Sequence, residues 1–203
     1  MRPTRQKEII DAARTELAEK GYGAASIRDI AQRCGMSMSA LYHYYPGKQD
    51  LLKAILDEGV EAYFGACEQA LANAGPDPPE RLEVLVEAAV LFRADHPVKS
   101  SVMTEERSLE PENLAAYRKQ AARATQQFQE IIAAGRAAGV FGTPYPDDAR
   151  RAIIAMCNAI AQWWRPEGPL TREDLVERYV ALALTLVEYR PRSVSRAARA
   201  ERG

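Results

Sequence analysis

Tyr42, His43, Tyr44 and Tyr45 stand side by side in the stretch SMSALYHYYPGK (37–48), in a chain with 9 Tyr and 2 His. Phenols and imidazoles serve proton transfer, metal ligation and phosphate recognition, so three kinds of chemistry compete for the cluster, with an aromatic core as a fourth reading. Catalysis finds little support. A Ser–His–Asp relay needs a histidine held in a cleft, and the second one, His96, precedes Pro97 at the end of a helical pattern. Cys34, Cys67 and Cys157 are far apart, without metal-ligand spacing, and sit among apolar residues. They read as reduced, buried thiols. No glycine-rich phosphate loop is present. The expectation is therefore no enzyme, no metal and no cofactor.

The elements around the cluster favour a surface that touches nucleic acid. Ser26-x-x-Asp29 reads as an N-cap with an acidic partner, opening a short helix that buries Ile27, Ile30 and Ala31 and ends at Gly35. Ser37 caps a second short helix reaching Tyr44 or Tyr45, where Pro46-Gly47 breaks the chain. Two short helices about a glycine turn make a helix-turn-helix, whose second helix lies in a DNA major groove. On that helix Leu41 and Tyr45 share the inward face. The outward side chains suit DNA. Ser37 and Ser39 permit close approach, Met38 or Ala40 meets a thymine methyl, and His43 donates to a base or a phosphate. Tyr42 and Tyr44 suit phosphate oxygens. Ser26 and Arg28 at the start of the first short helix, and Lys48 at the start of the next long one, complete the expected contacts. On the residues alone, tyrosines at helical spacing also suit a core, and a lone histidine a solvated surface.

Nearly every other segment repeats with a period of 3.6. Ile9, Ala13 and Leu17 form a stripe on a first helix stopped by Gly21. A long helix from Lys48 carries Leu52, Leu56, Val60, Tyr63, Cys67 and Leu71, and ends at NAGPDPP (73–79). Further helices are expected at about 80–94, 98–107, 112–138, 147–164 and 171–189, the last opened by Thr171-x-x-Asp174. The fold class is all-α, with about nine helices and no strand. Three parts follow: a three-helix helix-turn-helix domain (1–47), a larger helical domain (48–189), and a basic tail (190–203) expected to be disordered, with five Arg against one Glu.

The formal net charge is -1, so any basic surface is local. No stretch approaches the ~18 apolar residues of a membrane span, and the charged N-terminus lacks the apolar core of a signal peptide. A cytoplasmic protein without membrane contact is expected.

The last helix has two apolar faces, Leu175, Tyr179, Leu182 and Leu186 on one, Val176, Val180, Ala183 and Val187 on the other. Such a helix needs two partners. The helix before it carries small residues, Ala152, Ala155 and Ala159, beside Ile153, Met156, Ile160 and Trp163. The two are expected to form a four-helix homodimer interface through Ala152, Ala155, Ala159, Val176, Val180, Ala183 and Val187. A well-buried helix pair in a monomer is the alternative.

Residues 5–52 resemble the DNA-binding domain of TetR-family bacterial regulators. The resemblance rests on Ser26-x-x-Asp29-Ile30-Ala31, then Gly35-Met36-Ser37-x-x-x-Leu41-Tyr42-x-Tyr44-Tyr45-x-x-Lys48-x-x-Leu51-Leu52. Tyr45 stands where that family usually has Phe, Gly47 where it has Ser, and Ser39 where Gly is frequent. The resemblance implies a homodimer on a palindromic double-stranded operator, with the remaining helices as a ligand-sensing and dimerisation domain. Effector binding would then move the long helix that carries the reading heads. Stretches 102–120 and 155–175 resemble, more loosely, members of that family that sense acyl-CoA thioesters in fatty-acid or steroid-ring catabolism. An acyl group would lie among Tyr63, Phe92, Phe128, Met156 and Trp163, near Tyr117 and Asn158, with Arg107, Arg118 and Arg123 toward the CoA phosphates. A planar aromatic or drug-like effector is the rival, and a helical ligand-binding protein without DNA contact is a further alternative.

Overall fold

The computed structural model describes residues 4–191; the basic tail read from the sequence lies, beyond Pro191, outside the described residues. The chain winds into α1 (Arg5–Ala24), α2 (Ile27–Arg33), α3 (Met38–Tyr44), α4 (Lys48–Ala72), α5 (Pro78–Asp95), α6 (Pro97–Val102), α7 (Pro111–Ala137), α8 (Pro146–Trp163) and α9 (Arg172–Leu186). Among the described residues the extended pairing is limited to one bridge, Phe141 to Tyr189.

The starts follow from local chemistry. Ser26 Oγ accepts from the Asp29 amide and Ser37 Oγ from the Ala40 amide, both at 3.1 Å. Thr171 and Asp174 close a reciprocal capping box on α9. Proline opens α5, α6, α7 and α8, where its missing N–H would have had no helical partner. Gly35, at φ +62°, makes the turn between α2 and α3 in a conformation that costs a side-chain-bearing residue energy. Two expectations shift. Gly21 breaks the helical backbone of α1 at φ +73°, where the stop was expected, but a further short turn carries the winding on to Ala24. The helix expected at 98–107 divides into the six-residue α6 and a 3₁₀ turn, Met103–Ser108.

Two hydrophobic cores result. The first joins α1, α2 and α3 to the start of α4 through Ile9, Leu17, Ile30, Leu41, Leu52 and Leu56, and recruits Leu109 and Tyr117 from farther along. The second joins the far half of α4 to α5, α7, α8 and α9 around Leu82, Val86, Phe128, Ile153 and Leu175. Met103 packs against both. It lies against Gly59 of α4, where an added Cβ would come within 3.1 Å of the methionine side chain. Glu16 is 2% exposed and fastens α1 to α2, accepting from Lys20 and, at 2.8 Å, from Arg33. Those two bonds, Lys20 first, hold its carboxyl below the usual glutamate range.

Candidate nucleic-acid interface and effector pocket

α3 buries one anchor and presents the rest. Leu41 is fully enclosed and Tyr45 half-buried against the first core, while Tyr42 is 45% exposed, Tyr44 38% and Met38 41%. Ser37, Ser39 and His43 are exposed with them, and Ala40 is half-buried. Arg28 is exposed on α2. Ser26 and Ser37 use their hydroxyl oxygens as acceptors in helix caps, so each still has its O–H to donate to a phosphate. Lys48 behaves differently from the expectation. Its ammonium donates to the Tyr22 carbonyl and sits 4.1 Å from the Tyr22 ring centre, and burial pushes its pKa down. A phosphate would have to draw it off that seat. Beside it Gln49 acts as a three-way clamp. Its Nε2 donates to the Tyr22 hydroxyl and to the Ser108 carbonyl, each at 2.8 Å, and its Oε1 accepts from the Glu110 amide at 3.1 Å.

A cavity of about 320 Å³ opens between α4, α5, α6, the 3₁₀ turn, α7 and α8. Tyr63, Tyr117, Phe128 and Asn158, all expected at a ligand site, line it. Burial pushes the Tyr117 phenol up to about 12 and that of Tyr63 well above its ordinary value, so both are neutral hydroxyls. The other expected residues do not line it. Phe92 is buried behind Tyr63, edge to face at 5.3 Å, and Met156 packs against the second core. Arg107 and Arg118 are exposed, Arg118 pairing with Glu106 at 3.7 Å. Trp163 is 47% exposed on the last turn of α8. The stripe Ile153, Met156, Ile160 and Trp163 does not hold to its end, because the helix turns Ile153, Cys157 and Ile160 inward and leaves Trp163 exposed.

The expected interface residues divide as well. Ala152 and Ala155 are exposed and Ala159 is half-buried. Val176 and Val180 pack partly against the second core, whereas Ala183 and Val187 are fully buried in it, unavailable to a partner. α9 lies along α5, which claims that stripe. The outward apolar residues are instead Leu182, 50% exposed, and Leu186, 37% exposed, with Trp163 on the neighbouring helix.

Residues 9–55 match the family described as bacterial regulatory proteins, tetR family, and residues 75–187 match the tetracyclin repressor-like C-terminal domain. The chain belongs to the TetR family. It is a DNA-binding transcriptional regulator, in a family of regulators rather than enzymes. Among relatives, the HTH-type transcriptional repressor KstR2 of Mycolicibacterium smegmatis is 27% identical over 186 residues, 89% of each chain. A tetR-family regulatory protein from Rhodococcus RHA1 superposes with a TM-score of 0.85 at 34% identity, over 92% of this chain and 98% of its own. AibR, solved in complex with isovaleryl coenzyme A and operator DNA, shares the fold with a TM-score of 0.82 at 22% identity, over 92% of this chain and 100% of its own.

The TetR-family pocket also contains residues that the sequence reading missed, above all Arg93, Ser100, Met103, Thr104, Glu106 and Thr125. One was detectable. Arg93 continues the buried stripe Leu82, Val86 and Ala89 on α5, and a charge on an apolar stripe needs a reason. Ser100, Met103 and Thr104 belong to the segment whose 3₁₀ winding the periodicity did not show. Among the described residues no group of His, Cys, Asp and Glu is placed to hold a metal, and no helix is long and apolar enough to cross a membrane.

Proposed function

We propose that this regulator represses transcription as a homodimer on a palindromic operator and is released by a small, mainly apolar effector. The observation that carries the proposal is the position of the cavity. Val60 and Tyr63 in its wall belong to α4, the helix that starts directly after α3. Whatever fills the cavity pushes on the element that aims the reading helix. Two copies would pair through Leu182, Leu186, Trp163, Ala152 and Ala155, placing one reading helix in each of two successive major grooves about 34–36 Å apart. Tyr42, Tyr44, His43, Ser39, Met38 and Arg28 would make the contacts, with Ser26, Ser37, Ala40 and Lys48 at the edges. A palindrome accepts both heads at one spacing only, so a small shift of α4 loses one set of contacts.

An acyl-CoA thioester is the favoured effector. A cavity of about 320 Å³ is at the small end of ligand sites and suits an acyl group, leaving the nucleotide outside. Arg118 and Arg123 are exposed on α7, each held by a single carboxylate, at 3.7 and 3.6 Å, so phosphates compete easily for them. AibR offers a precedent in the fold, and KstR2 is named a repressor. The aromatic walls Tyr63, Tyr117 and Phe128 favour a flat ring system as the second reading.

Fluorescence anisotropy of the protein on its own upstream DNA, with and without a panel of acyl-CoA thioesters, tests the proposal. Tight, salt-sensitive binding relieved by one thioester is expected. Tight binding that only aromatic ligands relieve would transfer the effector to the second reading. Failure to bind any upstream fragment at low salt would overturn the repressor assignment.

A further inference from the structure

The lining of the cavity is unevenly supplied with hydrogen-bonding groups. Arg93 is 6% exposed and forms no ion pair among the described residues. One terminal nitrogen donates to Asn158 Oδ1 at 2.7 Å, the other reaches only the Met103 sulfur at 3.1 Å, and Nε has no partner. The faces of Tyr63 and Phe92, at 4.8 and 5.8 Å, give the guanidinium partial relief. A thioether is a weak acceptor, and an aromatic face does not satisfy an in-plane N–H. Ser100 is 2% exposed and its Oγ also lacks a partner. Thr104 and Thr125 spend their hydroxyl hydrogens on the Ser101 and Ala122 carbonyls. Glu106, the one carboxylate in the lining, pairs with Arg118. Beyond the Tyr63 and Tyr117 phenols and the Glu106 carboxylate engaged by Arg118, what remains in the lining is a set of donors, Arg93, Ser100 and the Asn158 amide, without an anion of their own.

We infer that Arg93, with Ser100 and Asn158, forms a carboxylate-binding subsite, and that the effector carries a carboxyl group on a compact apolar body. This rests on the cavity being the effector site and narrows what it accepts. A guanidinium matches a carboxylate by two parallel N–H···O bonds, and a neutral amide or ester leaves the buried charge uncompensated. The carboxylate has two possible sources. It is the head of a free organic acid, or the distal carboxylate of a dicarboxylic acid whose other end is a CoA thioester outside the cavity.

Isothermal titration of the full-length protein with matched probes tests this: hexanoate and octanoate against their primary amides, and adipoyl-CoA against hexanoyl-CoA. The acid of at least one pair is expected to bind about tenfold or more tightly than its neutral counterpart. Preference within the first pairs identifies a free acid, and preference within the CoA pair a distal carboxylate. Arg93→Met should abolish the preference while melting as a folded protein, since a buried charge exchanged for a methionine of similar length is well tolerated. Ser100→Ala, a smaller change, should reduce the preference several-fold. Equal binding of acid and neutral partner, a preference that survives Arg93→Met, or no binding by any probe overturns the inference. Operator release is measured separately. An acid that binds through Arg93 but leaves the operator occupied keeps the subsite and defeats the effector reading of the cavity.

Discussion

The reading head and the pocket solve opposite problems with the same secondary structure. The head gathers most of its functional side chains within one seven-residue helix and its flanks, mainly pointed at solvent and held by a single buried leucine, with Arg28 added from α2. The pocket draws its lining from α4 through α8, from Val60 to Asn158, and buries its innermost residues, Val60, Tyr63, Arg93, Ser100, Tyr117 and Phe128, in the fold. A site made by one helix costs the fold little when altered. A site made by six elements is part of the core, and its chemistry and stability are inseparable.

Substitutions can break that comparison. The largest effect should come from neither site but from the surface that pairs two heads. Leu182→Glu with Leu186→Glu is expected to yield monomers by sedimentation velocity. It should cost operator affinity about a thousandfold, because the second head no longer binds intramolecularly. If the double variant remains dimeric and binds, the outward strip of α9 is not the interface.

Next comes Phe128→Ala, fully buried in the pocket wall. Loss of about 3–5 kcal/mol of stability is expected, read in a urea titration, together with altered effector affinity. Tyr42→Ala sharpens the contrast. It should weaken operator binding by tens-fold in anisotropy, yet leave the urea midpoint essentially unchanged, since exposed substitutions seldom exceed about 0.5 kcal/mol. A Tyr42→Ala protein that binds operator like the parent removes this face from the interface.

A smaller, pH-dependent effect separates the head from the pocket. The Glu16 carboxyl is depressed in the folded chain, so the unfolded state takes up protons first as pH falls. The stability it contributes is present at neutral pH and disappears as pH drops below its ordinary value of 4.5. Glu16→Gln should therefore melt lower than the parent at pH 7, with the gap closing toward pH 3. A constant gap across that range would mean packing, not charge, holds α1 to α2. The smallest effect is that of Trp163→Ala on direct effector affinity, which should change by less than about twofold in isothermal titration whatever the change costs the pairing of two copies, because the indole stands outside the cavity.

The same contrast explains what could be read from the sequence. Ser26, Ser37 and Gly35 specify the helix-turn-helix through caps and a turn, all local interactions, so the order and ends of α2 and α3 were legible. Leu41 could be assigned inward because one helix has one buried face. α9 has two apolar faces, and nothing local says which of them α5 covers, so Ala183 and Val187 were placed on the wrong side. Trp163 failed for a related reason. Its place beside Met156 on the wheel says nothing about where α8 ends relative to the cavity. Arg93 was visible as a charge on an apolar stripe, but its significance depends on Asn158, sixty-five positions away. Only the packed fold brings the two together.

The three-way grip of Gln49 gives the molecule a mechanical character. From Val60 to Lys48 the α4 axis runs about 18 Å, so a tilt of about 5° at the pocket moves the tip by about 1.6 Å, and by roughly twice that between two copies. The tip is not free. Gln49 ties it to Ser108, the last residue of the Met103–Ser108 turn that walls the pocket, and to Glu110 just after it. A lever latched to its own housing costs extra free energy to move, so under the proposed mechanism the latch raises the effector concentration that release requires. Gln49→Ala should release the operator at a lower effector concentration than the parent, read in the same anisotropy titration.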